Sequence, residues 1–164
     1  MMTIDASELD VFPDEPVPQW VLGVPEISPY EAEYVETDRF FRHRRWRDVS
    51  GEDADDHSEG LIIMSTEALA YYLPAFLGAT LHSVAIAESL MGKILFALDP
   101  SPYCAAYFAT ALYQRLTGEQ REVVRRFLLY LWSVDDDYFR PDDGEDSMER
   151  KHLKALWQLG DGPC

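Results

Sequence analysis

Five of the fourteen basic residues in this 164-residue chain fall within nine positions, Arg39-Phe40-Phe41-Arg42-His43-Arg44-Arg45-Trp46-Arg47. Guanidinium groups grip carboxylates and phosphates through a rigid fork of donors, and an indole offers a face on which a cation or a ring can lie. Arg42, Arg44, Arg45 and Trp46 therefore form a candidate anion or stacking site. A plainer account is favoured: the arginines neutralise the acidic segments on either side through intramolecular ion pairs, and so orient the N-terminal arm or the loop that follows.

Carboxylates are the second chemical resource. One run holds Glu52, Asp53, Asp55 and Asp56, and another holds Asp135, Asp136 and Asp137 followed by Asp142 and Asp143. Hard oxygen ligands on a flexible loop suit calcium or magnesium. The EF-hand spacing fails, however. Counting from Asp135, Phe139 and Arg140 occupy the positions that need an oxygen ligand and then glycine, and counting from Asp142, Gly144 falls where a ligand belongs. Both runs read as solvated loops with no metal, and their acids are candidate contacts for a basic protein partner.

Nucleophilic, zinc and phosphate chemistry find no foothold. His43, His57, His82 and His152 are scattered, with neither H-E-x-x-H nor paired-cysteine spacing, and Cys104 and Cys164 stand far apart. His82 and Glu88, six positions apart, do not share a helix face. G-x-S-x-G, the P-loop and G-x-G-x-x-G patterns are missing. No catalytic residue, metal or cofactor is assigned, and the balance leans away from an enzyme.

The whole-chain charge agrees. Thirty acids against fourteen bases give a net charge of -16 and a pI near 4.4, a surface that repels phosphate backbones and anionic lipid. Direct nucleic-acid binding and membrane association are not expected. The first residues lack the basic and apolar regions of a signal peptide, so a cytoplasmic address follows by default. The uncharged stretch between Glu67 and Glu88 contains Tyr71, Tyr72, Pro74, Gly78, Thr80, His82 and Ser83, which suits a buried central helix better than a membrane span.

The elements that must position these groups read as an all-α fold: a single domain of about five helices behind a proline-rich acidic N-terminal arm. The arm covers residues 1–27, the helical domain 28–159 and a tail 160–164. Ten acids and no Lys or Arg occur up to Asp38, and Pro13, Pro16, Pro18 and Pro25 disfavour helix and central strand. Trp20, Val21, Leu22 and Val24 are apolar enough to pin the arm to the domain. Ser28, Pro29 and Glu31 form a capping sequence that opens a helix reaching into the forties. Leu61 to Met64 could be a short strand or the approach to a helix. Ser65 or Thr66 caps the next helix, with Glu67 at its positive end, and Pro74 should kink or divide it.

Apolar residues continue to Leu98, where Asp99-Pro100-Ser101-Pro102 ends the element. Tyr103 to Leu116 has helical spacing. Thr117 and Gln120 form a capping box, and Val124, Phe127, Leu128 and Leu131 make the clearest helical stripe in the chain. Ser147 caps a last helix carrying Met148, Leu153, Leu156 and Trp157.

Three strings stand out together: Trp46-Arg47-Asp48-Val49, Tyr72-Leu73-Pro74-Ala75-Phe76 and Leu116-Thr117-Gly118-Glu119-Gln120, with Trp157 near the end. As a set, over roughly residues 40–158, they resemble a family of small uncharacterised bacterial proteins. The resemblance implies a bacterial cytosolic helical domain in which Trp46, Tyr72, Pro74 and Phe76 are structural. It carries over no catalytic residues, and the arm before Ser28 lies outside it.

The leading functional expectation is a non-enzymatic acidic binding protein, most plausibly an immunity or inhibitor protein that engages a basic protein partner. Two alternatives stand beside it. One is an enzyme or small-ligand protein with a pocket near the Pro74 kink, using Tyr71, Tyr72, His82 or the arginines. The other is a DNA-mimicking inhibitor, whose carboxylates would lie in rows at phosphate-like spacing.

Overall fold

A computed structural model describes residues 4–22, 32–101, 106–135 and 147–160. The described residues form eight α-helices: α1 (Ala32–Phe41), α2 (Gly51–Asp56), α3 (Gly60–Ile63), α4 (Thr66–Ala79), α5 (Val84–Leu98), α6 (Ala106–Arg115), α7 (Gly118–Val134) and α8 (Ser147–Trp157). Short 3-10 helices cover Ala6–Val11 and Trp46–Asp48. Among the described residues there is no strand, only an isolated antiparallel bridge between Leu22 and Met64. The protein is all-α.

Helix starts follow the local chemistry. Ser65 caps α4, its Oγ accepting the Ala68 N–H at 3.1 Å. At α7, Thr117 Oγ1 accepts from the Gln120 N–H at 3.2 Å, and Gln120 Oε1 accepts from the Thr117 N–H at 2.9 Å. The capping residues expected at Ser28 to Glu31 lie outside the described residues, as does the Cys104 region; the side chain of Ser147 is likewise not described.

Three expectations about secondary structure need correction. The segment from Glu52 to Asp56 is helix α2 rather than loop, because Ser50 and Asp53 form a capping box of their own, with contacts of 3.1 and 3.3 Å. Leu61 to Ile63 belong to the short α3, and only Met64 is extended. Helix α4 runs undivided past Pro74. A proline inside a helix costs about 3 kcal/mol, but every residue from Tyr71 to Leu77 is buried, and that packing holds the helix together.

The chain groups into two compact units, Phe12–Ile94 and Met1–Val11 with Leu95–Cys164. In the first, Phe41, Tyr72 and Phe76 are fully buried, with ring centroids 4.8 Å apart for Phe41 and Tyr72 and 5.8 Å for Phe41 and Phe76. Phe12 and Val21 fix this part of the arm. Trp20, expected to help pin it, instead stands 65% exposed, because its neighbours Pro18 and Val21 take the inward positions. In the second unit Phe127, Leu128 and Leu131 of α7 and Trp157 of α8 are buried, and the Trp157 indole donates to the Leu98 carbonyl at 2.9 Å. Leu9 of the first 3-10 helix is buried here too, while Gln120 donates to the Val11 carbonyl at 3.3 Å. Glu8 Oε2 lies 2.6 Å from Arg126 Nη1, a charge contact outside hydrogen-bond alignment. No described helix is long and apolar enough to cross a membrane.

Candidate functional site

The arginine cluster sits at the end of α1 and in the 3-10 turn after it, and its members face their own chain. Arg45 lies between Asp48, at 3.2 Å, and Asp14 of the arm, at 3.3 Å. The Asp48 hydrogen bond, then the charges of Asp48 and Asp14, hold this guanidinium even more firmly protonated than usual. Arg42 pairs with Asp38 one helical turn back. Arg44 donates from Nε to the Phe40 carbonyl at 3.1 Å and lies 4.1 Å over the Phe40 ring, which also stacks on His57 at 4.0 Å. Arg47 lies 4.3 Å over the Trp46 ring, and Trp46 itself is buried, donating its indole N–H to the Pro13 carbonyl at 3.1 Å.

Of the acids on and around α2, Glu52 meets His82 Nε2 at 2.8 Å and Asp53 closes the capping box. A backbone hydrogen bond first, and the His82 charge second, hold the Glu52 carboxyl below its ordinary range. Glu59 accepts from Lys93 Nζ at 2.6 Å, and the same ammonium donates to Ser58 Oγ at 2.7 Å. Asp55 and Asp56 have no side-chain partner among the described residues. Asp135 is the C-cap of α7, while Asp136, Asp137, Asp142 and Asp143 lie outside the described residues. Among the described residues no three of His, Cys, Asp and Glu gather as a metal would need.

The tyrosines beside Pro74 have committed hydroxyls. Tyr71 donates to the Asp14 carbonyl at 2.7 Å, and Tyr72 donates toward the carbonyls of Phe41 and Arg44 at 2.6 and 2.7 Å. Burial pushes both phenols above their ordinary range, Tyr72 the further. Near neutral pH they are protonated donors that fasten the arm and the end of α1 to α4. Ser58 beside Lys93 has the composition of a nucleophile and base, but the serine is buried and Lys93 Nζ is shared with the Glu59 carboxylate at 2.6 Å.

The feature that sequence reasoning missed is Trp20. Its value as an exposed group depends on its neighbours in the arm packing inward, and an alternation of buried and exposed residues is hard to read in so proline-rich a segment. These features define a helical protein whose described cations are largely engaged by its own chain and whose carboxylates are in surplus. Residues 25–159 match the model of a family of unknown function, DUF6714, and the chain belongs to that family. No curated protein matches the chain, and no solved structure does.

Proposed function

We propose that this protein is a non-enzymatic acidic binding protein of a bacterial cytoplasm, an immunity or inhibitor protein that engages a basic protein partner. One observation carries the reading: the acids are in two-to-one surplus, and most of the described bases are engaged by acids or rings of this chain. Residues 12–94 hold 15 acids and 6 bases, and the rest of the chain holds 15 and 8, so both units carry the excess. Arg42, Arg45, Lys93, Arg125 and Arg126 are ion-paired within the chain. Arg44, Arg47, Arg121 and Lys154 lie over the rings of Phe40, Trp46, Tyr113 and Trp132.

Unbalanced negative charge repels itself and opposes compaction, but it raises the association rate with a cationic protein. Nucleic-acid-cleaving toxins are such proteins, because they must hold phosphate backbones. The carboxylates of α2 and of the segment from Asp135 to Asp143 are the contact candidates.

The test is a tagged pull-down from the native host at low and at physiological salt, with bound proteins identified by mass spectrometry. A stoichiometric basic partner that is lost as salt rises supports the reading. A clean negative at both salts, or a partner without basic excess, overturns it.

A further inference from the structure

We propose that Trp20 is the anchor through which this protein holds an arginine side chain of its basic partner, an inference that rests on the acidic-binding reading above. The chain has four tryptophans, and three are buried: Trp46 and Trp132 at 6% exposure and Trp157 at 2%. Trp46 and Trp157 commit their indole N–H to backbone carbonyls, and Trp46 and Trp132 each carry a cation of this chain on the ring. Trp20 is 65% exposed, and its side chain has no hydrogen bond, ring or cation contact among the described residues.

The exposure does not come from a loose backbone. Val21 is 1% exposed, its carbonyl accepts the Ser65 N–H at 2.8 Å, and the Trp20 carbonyl accepts from Ser65 Oγ at 3.5 Å. The next residue, Leu22, bridges to Met64. A large aromatic face is thus presented from a fixed backbone, so ordering it on contact costs little, and tryptophan in that setting is the residue type that most often dominates an interface.

The occupant follows from charge. Ser65, whose N–H donates to the carbonyl of the adjacent Val21 at 2.8 Å, caps the helix whose first turn carries the exposed Glu67, and the exposed Glu15 lies in the same arm. A guanidinium can stack flat on an indole and still present N–H donors to a carboxylate, which its planar fork suits better than the point charge of an ammonium. Both cation types already lie over indoles in this chain, Arg47 Cζ 4.3 Å from the Trp46 ring centre and Lys154 Nζ 4.2 Å from that of Trp132, so the choice between them rests on the planar fork.

Affinities are read by titration calorimetry, which serves parent and variants alike, and the emission of Trp20 is read as the difference between the parent and Trp20→Ala. The full-length protein is titrated at about 0.15 M salt with an oligo-arginine peptide and with an oligo-lysine of equal length. Oligo-arginine should shift the Trp20 emission and bind more tightly than oligo-lysine. Trp20→Ala should weaken its binding about tenfold, and Trp20→Phe, which keeps an aromatic face, by less. Both variants should melt as the parent does, since the ring is outside the core.

Equal affinity of the parent and Trp20→Ala overturns the anchor and leaves the acidic-surface reading standing. Failure of oligo-arginine to bind the parent overturns both. Oligo-lysine binding as tightly, with the same dependence on Trp20, overturns the arginine assignment. An emission shift that follows protein concentration alone and vanishes in Trp20→Ala assigns the face to a second copy of the chain and overturns the proposal.

Discussion

The hydroxyl of Tyr72, on α4, lies 2.6 Å from the carbonyl oxygen of Phe41, the last residue of α1, and donates to it. The last carbonyls of a helix lack intrahelical partners and must find donors elsewhere. Here the donor is a fully buried phenol, which is also within 2.7 Å of the Arg44 carbonyl three positions beyond the helix. The end of α1 and the start of the arginine segment are therefore fixed by one hydroxyl on α4.

Replacing Tyr72 with Phe removes that donor and almost nothing else. The variant should lose about 1–3 kcal/mol: the Phe41 carbonyl keeps the Arg44 N–H at 3.0 Å, but the Arg44 carbonyl loses the phenol as its donor. Urea unfolding with an unchanged slope and a lower midpoint is the expected result; an unshifted midpoint would show that water serves the Arg44 carbonyl in place of the phenol.

Trp46→Phe tests how the arm is held. The indole N–H reaches the Pro13 carbonyl at 3.1 Å, and Tyr71 reaches the Asp14 carbonyl at 2.7 Å. Each variant, Trp46→Phe and Tyr71→Phe, should raise amide exchange in residues 12–22 before it affects α4, and the two together should do so more strongly. The expected stability loss is about 1 kcal/mol for each hydrogen bond. Exchange that rises uniformly across the unit would count against a local tether.

The Glu52–His82 contact gives a pH dependence whose sign follows from the carboxylate. The folded-state pKa of Glu52 is lowered from 4.5, so its contribution to stability is present above that value and is lost as pH falls through the lower folded value. The difference in unfolding midpoint between the parent and Glu52→Gln should be seen at pH 5.5 to 6, an estimate of about one unit above the unfolded carboxylate range, and should close in more acid solution. Both side chains are more than half exposed, so added salt should shrink the difference as well. A gap that widens on acidification would refute this assignment.

Gly60, at the start of α3, has no room for a methyl group. A Cβ there would stand 3.0 Å from Met64 Cε, 3.2 Å from Phe76 Cζ and 3.3 Å from Phe41 Cε2. Alanine gains about 1 kcal/mol in helix propensity, and overpacking a full core costs about 1–3 kcal/mol. The methionine end can swing away, but the two buried rings cannot retreat together, so Gly60→Ala should lower the melting temperature. Gly118→Ala, where a Cβ meets nothing within 4 Å, is the matched control and should not.

What the sequence reveals depends on the range of the interaction. The caps at Ser65 and Thr117 act over three residues, and both helices begin where those residues indicate. Ser50 and Asp53 carry the same kind of signal, but the surrounding acids and glycine resemble a solvated loop so closely that α2 was hidden by its own composition. The family strings around Trp46 and Tyr72 mark structural residues, and both are buried. Tyr72 meets its acceptors 31 and 28 residues away, and Arg45 reaches Asp14 across 31, distances at which nothing local specifies the partner. The arginine segment thus announces that it needs counter-charges without saying which. Trp20 is the reverse case, an apolar residue whose exposure follows only from what its neighbours do.

The grouping of Ala6–Val11 with residues beyond Leu95 bears on the order in which the protein can be completed on the ribosome. Residues 12–94 are contiguous, so all of this unit has been synthesised before α6 begins. The first 3-10 helix has to wait, since Gln120, which donates to the Val11 carbonyl, is made 109 residues later. Closing so long a loop is slow relative to local helix formation. During synthesis Leu9 therefore remains uncovered in the nascent chain, and its burial in the finished fold becomes a late event that depends on the arrival of α7.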